Sequence, residues 1–158
     1  MTDEYDSYCI AQAKAWLVKV RRLAAYERTM REIAERQLEM ADGLRGIDYS
    51  ADRVSTASDG NAIPRAVEAH MEAMADLAAI ADDAARRIAE AAAVVDGMDD
   101  PTEAAALARY YLGGDSWEQV CVDMGYTWQG MMAIQRRALR HVDPLMPARE
   151  RDPLPPAV

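Results

Sequence analysis

The 158-residue chain has no phenylalanine, two cysteines and two histidines, and these scarcities exclude several classes of function. Cys9 and Cys121 lie too far apart for a CxxC pair and are too few for a disulfide framework; their spacing places both on buried helix faces, as inert thiols. His70 and His141 stand without an HxxxH spacing, a metal-like neighbour or a nucleophile, so no catalytic or metal site is expected. The chain also lacks a glycine-rich phosphate loop, because Gly113 and Gly114 read as the end of a helix, and no cofactor is implied. An enzyme is not expected. No stretch approaches the roughly 20 apolar residues of a membrane span, and MTDEYDSYCI is acidic where a signal peptide is basic. The expectation is a cytoplasmic protein with no membrane partner. No long apolar alternation marks a strand, and the predicted class is all-α.

The formal net charge is −9, unevenly spread. Residues 1 to 40 carry seven acids and seven bases, 41 to 100 thirteen and five, and 101 to 143 five and four. The excess acid is in the middle, which leaves either end open to a nucleic-acid surface.

Apolar positions at Trp16, Val20, Leu23, Tyr26, Met30, Ile33 and Met40 step by three and four, predicting a helix from about Asp3 to Met40. Its other side carries Lys14, Lys19, Arg22, Arg28, Arg31 and Glu35, a solvated face with i, i+4 pairs such as Glu27 and Arg31. Residues 41 to 62, with three glycines and many Ser, Asp and Asn, read as a loop, ending where Asn61 caps and Pro64 opens a second helix. Val67, Met71, Met74, Leu77, Ala81, Ala84, Ile88, Ala91, Val95 and Met98 form its stripe. Two striped helices joined by a loop predict a long antiparallel hairpin over 1–98, with Met71 and Met74 as core filling and a seam for a homodimer. Asp82 and Asp83, and Asp99 and Asp100, read as solvated or capping carboxylates.

A third helix starts with Asp100 as N-cap, Pro101 at the first position and Glu103 closing a capping box, and ends at Gly113 and Gly114. Next comes DSWEQVCVDMGYTWQGMMAIQRRALRHV. Ser116 caps a helix with Trp117, Val120, Cys121 and Met124 inside; Gly125 supplies a sharp turn over Tyr126; Thr127 caps a helix with Met131, Ile134, Ala138, Leu139 and Val142 inside. The outcome is a small three-helix helix-turn-helix module over 99–143. After it, DPLMPARERDPLPPAV holds five prolines in sixteen residues, which predicts a flexible tail over 144–158.

The stretch from Asp115 to Val142, closing on QRRALR, resembles without a gap the fourth-region helix-turn-helix of bacterial sigma-70-type sigma factors. More widely, RGIDYSADRVSTASDGNAIPRAVEAH, with Val54, Ser55 and Ser58, followed by PTEAAALARYYLGGDSWEQVCVDMGYTWQ, is similar to small phage-encoded late-gene activators of the RinA and ArpU type. The resemblance implies a phage or prophage transcriptional regulator acting on double-stranded DNA beside host RNA polymerase. Its DNA-facing set would be Thr127, Trp128, Gln129, Met132, Ala133, Arg136, Arg137 and Arg140. The chain departs from the sigma pattern in the first turns of the second helix, where Arg and Glu are usual and Trp128, Gln129 and Ala133 stand, with Gly130 and Met132 between them. Bidentate Arg on guanine is lost, whereas Gln129 suits adenine and Trp128 a thymine methyl group. Arg136, Arg137, Arg140 and His141 are either phosphate contacts or ordinary cations at a helix C-terminus. Two other readings stay open: a protein-docking module using a Trp128, Met131 and Met132 edge, and a small-terminase-like packaging subunit.

Overall fold

Helix after helix follows from the caps and stripes of the sequence, and the computed structural model contains no strand among its described residues, 2–44 and 62–152. The chain is all-α. Helix α1 spans Thr2–Leu44 and α2 spans Ala62–Asp96. Helix α3, Pro101–Leu107, continues into a π-helical turn, Ala108–Leu112; α4 is Trp117–Met124 and α5 is Trp128–Val142. Two short 3₁₀ turns follow, Asp143–Leu145 and Ala148–Glu150. None of the described helices is long and apolar enough to cross a membrane. Asn61, Val54, Ser55 and Ser58 fall outside the described residues.

The chain divides into two units at places other than the expected boundary at 98. One unit takes Met1–Tyr26 with Arg86–Val158, and the other Glu27–Ala85. In the first, Trp16, Leu17 and Val20 of α1 meet Ala91 and Val95 of α2, together with Leu107, Tyr111, Leu139 and Val142. A smaller adjoining cluster joins Ala106 of α3, Val120 and Cys121 of α4, and Met131 and Ile134 of α5. Each fully buried Leu, Val or Met contributes about 1.5–3 kcal/mol. Tyr111, with no exposed surface, is the largest of these side chains. Cys9 and Cys121 are both buried free thiols, and burial, aided by the Asp143 carboxylate, pushes the Cys9 thiol up.

The π turn arises where Gly113 N–H donates to the Ala108 carbonyl at 2.8 Å, one residue further back than in an α-helix. A Cβ on Gly113 would lie 2.8 Å from the Arg109 carbonyl oxygen, so this close approach requires glycine. Arg21 of α1 donates to the Tyr110 carbonyl in this last turn and, at 3.1 Å, to the Asp115 carbonyl in the loop that follows, so one guanidinium ties the helix end and the loop to α1.

The flexible tail expected from 144 is corrected as far as Asp152. Met146 is buried in the main cluster, Arg151 donates to the Asp143 carbonyl, and Asp152 N–H donates to Gln12 Oε1 at 2.8 Å. Burial of Met146 and the hydrogen bonds of Arg151 and Asp152 outweigh the proline content of this segment. Residues 153–158 lie outside the description.

The second unit departs from expectation more sharply. The Glu27 and Arg31 pair forms as predicted. Every described side chain from Arg31 to Asp83 is nevertheless exposed, including Ile33 and Met40 on α1 and Met71 and Met74 on α2. The hairpin stripes are therefore not buried against each other here, and Met71 and Met74 do not fill a core within the chain.

Burial raises the pKa of the Tyr111 hydroxyl. The unfolded chain ionises first as the solution becomes alkaline, so the contribution is complete below the ordinary tyrosine value of about 10 and is lost as pH rises through the higher folded value. Tyr111→Phe reduces that alkaline loss; the check is urea unfolding at pH 8 and pH 10.5.

Candidate nucleic-acid interface

Ser116 and Thr127 do what their spacing predicts: Ser116 Oγ accepts from Gln119 N–H at 3.2 Å, and Thr127 Oγ1 from Gly130 N–H at 3.1 Å. Between α4 and α5 the chain reverses at Gly125, whose φ of 73° lies in the left-handed region. Its N–H closes the end of α4, and Tyr126 N–H donates to the Cys121 carbonyl at 3.0 Å. Tyr126, expected beneath the turn, is instead 42% exposed.

Helix α5 has two sides. Met131, Ile134, Ala138, Leu139 and Val142 are buried. Trp128, Gln129, Ala133, Arg136, Arg137 and Arg140 are exposed, as is Thr127 at the cap. Trp128 keeps 52% of its surface in solvent. Met132 is half-buried, packed against the smaller cluster, and Met131 is fully buried, so the expected Trp128, Met131 and Met132 edge loses its middle member. Trp117, by contrast, stacks on Tyr110 with ring centroids 4.2 Å apart and planes 13° apart.

The cations of α5 differ in their partners. Glu103 is buried, and its carboxylate takes His141 Nδ1 at 2.6 Å and Arg137 Nε at 3.5 Å. A buried carboxylate without such partners would be costly. Glu103 was expected to close a capping box; Asp100 does cap, accepting from Thr102 N–H at 2.8 Å, but Glu103 turns inward to α5. Arg140 pairs with Asp6 of α1 at 3.1 Å. Arg136 is exposed with no acid partner among the described residues, and with Lys14 of α1, Gln135 and Met132 it lines a shallow groove between α1 and α5. Sequence reasoning missed Lys14 here, since nothing local brings residue 14 beside residue 136. It also missed the Glu103 and His141 pair.

The geometry offers an amphipathic helix with a fixed entry, an exposed aromatic and amide at its first turn, and one uncommitted cation two turns on. Among the described residues no group of three or more His, Cys, Asp or Glu side chains converges to hold a metal ion. Comparisons of the chain with protein-family models, curated proteins and solved structures return no match.

Trp117→Ala costs about 3 kcal/mol, since it removes a stacked, largely covered indole. Trp128→Ala changes stability by less than about 0.5 kcal/mol. Chemical denaturation of both variants checks this, and acrylamide quenches Trp128 far more readily than Trp16 or Trp117. At the turn, Gly125→Ala costs about 1–2 kcal/mol because of its left-handed backbone, and Gly125→Asn costs less; thermal melts rank the two.

Proposed function

We propose that the chain is a DNA-binding transcriptional regulator of phage or prophage origin, in which α4 and α5 form a sigma-region-four-like helix-turn-helix and α5 enters the major groove. One observation carries the reading: α5 is capped by Thr127 two residues after the left-handed Gly125, buries one face, and leaves Trp128, Gln129, Ala133 and Arg136 outward over its first turns. The resemblance of residues 115 to 142 to sigma factors supports the same assignment. Gln129 reads adenine through its amide, Trp128 packs on a thymine methyl group, and Arg136 meets phosphate. Arg137 and Arg140, held by Glu103 and Asp6, contribute less than Arg136. The likeness to late-gene activators extends the proposal to action beside host RNA polymerase.

A second reading, docking of Trp128 and Met132 onto a protein, is favoured by those two ion pairs and by the net charge of −9. Selection of duplexes from a random pool at low salt separates the two, because the DNA reading requires an enriched sequence. On the enriched duplex, Arg136→Ala flattens the dependence of log affinity on log salt by about one unit, and the triple Ala variant at Arg136, Arg137 and Arg140 by up to about three. Unaltered affinity of the triple variant contradicts the phosphate role, and retention of a protein partner that needs Trp128 in place of any duplex supports the second reading.

A further inference from the structure

The shallow groove between α1 and α5 is lined by Ile10 and Lys14 on one side and by Met132, Arg136 and the buried Leu139 on the other. No acidic side chain lines it, and the α1 residues one turn either side of Lys14 are Ile10, Ala11, Leu17 and Val18. Asp6, next to Ser7 at the groove's end, is already held by Arg140 at 3.1 Å. Lys14 and Arg136 are both exposed, and neither has an acid partner among the described residues. Two cations that share a groove without counter-charges attract an anion.

The place of Arg136 on α5 joins this groove to the outward face. At about 100° per residue, Gln129 lies about 20° to one side of Arg136 and Met132 about 40° to the other, so Arg136 stands where that face gives way to the groove. The remaining flanks of α5 offer no such pair. Toward α3, Arg137 and His141 are engaged by the buried Glu103. Helix α4 stands where the first helix of a helix-turn-helix crosses the phosphate backbone, yet it carries Glu118 and Asp123 and no cation. The neighbouring Arg109 is taken up by Asp115 and Asp123. A duplex seated on α5 therefore meets acids on the α4 side and uncommitted cations on the α1 side.

We infer that Lys14 and Arg136 together hold the phosphate backbone of the duplex that α5 reads, so that α1 supplies the backbone contact that the acids of α4 disfavour. The inference rests on the DNA reading and adds to it the flank of α5 on which the backbone is gripped. Lys14 positions the duplex and carries no sequence information, since a phosphate is the same beside every base pair. Its ammonium acts as a point charge, a role that an arginine at the same position also fills.

The test is titration of the full chain and its variants against the duplex enriched from the random pool, over a series of salt concentrations. Lys14→Ala weakens binding on the order of fivefold at about 150 mM salt and flattens the dependence of log affinity on log salt by about one unit, additively with Arg136→Ala. A repeat selection with Lys14→Ala returns the same sequence, and Lys14→Arg keeps the wild-type slope. Lys19→Ala removes the same charge about 140° around α1, where Lys19 faces Glu150 at 3.6 Å, and leaves the slope unaltered. A neutral methylphosphonate stepped along both strands locates the contact: at one position it weakens the wild type more than it weakens Lys14→Ala. If the wild type binds the duplex but Lys14→Ala keeps its affinity and slope, the inference is overturned and the reading of α5 stands. An equal loss in Lys19→Ala, or a methylphosphonate effect that is the same at every position in both proteins, shows only net charge and overturns it as well. Enrichment of no duplex removes the DNA reading, and this inference with it.

Discussion

The contact among Arg21, Tyr110, Tyr111 and Trp117 holds the Met1–Tyr26 and Arg86–Val158 unit together. Tyr110 and Trp117 pack against both hydrophobic clusters, Tyr111 meets Tyr110 edge-on at 4.8 Å, and the Arg21 guanidinium lies 3.9 Å from the Tyr110 ring centroid. The π turn makes this arrangement accessible. It carries both Tyr110 and Tyr111 just after α3 and leaves the Tyr110 carbonyl to accept from Arg21. Without these rings, α4 would lose its attachment through Trp117, and the cluster that holds Ala138, Leu139 and Val142 of α5 would lose Tyr111.

From that attachment the character of α5 follows. Its inner side chains are consumed by the two clusters, and Glu103 and Asp6 engage the cations nearest the core. Arg137, Arg140 and His141 thus set the seat of the helix as well as its charge. Arg136, Gln129 and Trp128 have no such duty, and a binding surface draws on groups of this kind. Helix α5 itself carries three arginines and no acid, and of the three Arg136 has no acid partner among the described residues.

Local features were legible in the sequence, and distant ones were not. Asp100, Ser116, Thr127 and Gly125 act through partners two to four residues away, so spacing alone identified the caps and the turn. The buried face of α5 was legible for the same reason, since period and side-chain size decide it. The Glu103 and His141 pair spans 38 positions and the Arg140 and Asp6 pair joins opposite ends of the chain, and no pattern encodes either. The tail shows a different failure: proline content suggested disorder, but Met146 and Arg151 find partners that composition does not reveal. For the apolar stripes, periodicity named the faces that must be covered without saying by what. Ile33 and Met74 are exposed in the single chain, whereas Trp16 and Val95, on the same two helices, are buried.

The central claim is that the outward face of α5 meets double-stranded DNA. Backbone amide shifts of the full chain, followed while the selected duplex is added, test it most directly. The account predicts that the largest changes fall on Trp128, Gln129, Ala133 and Arg136, with little change from Val67 to Ile80. Changes concentrated away from α5, or none at saturating duplex, would contradict it.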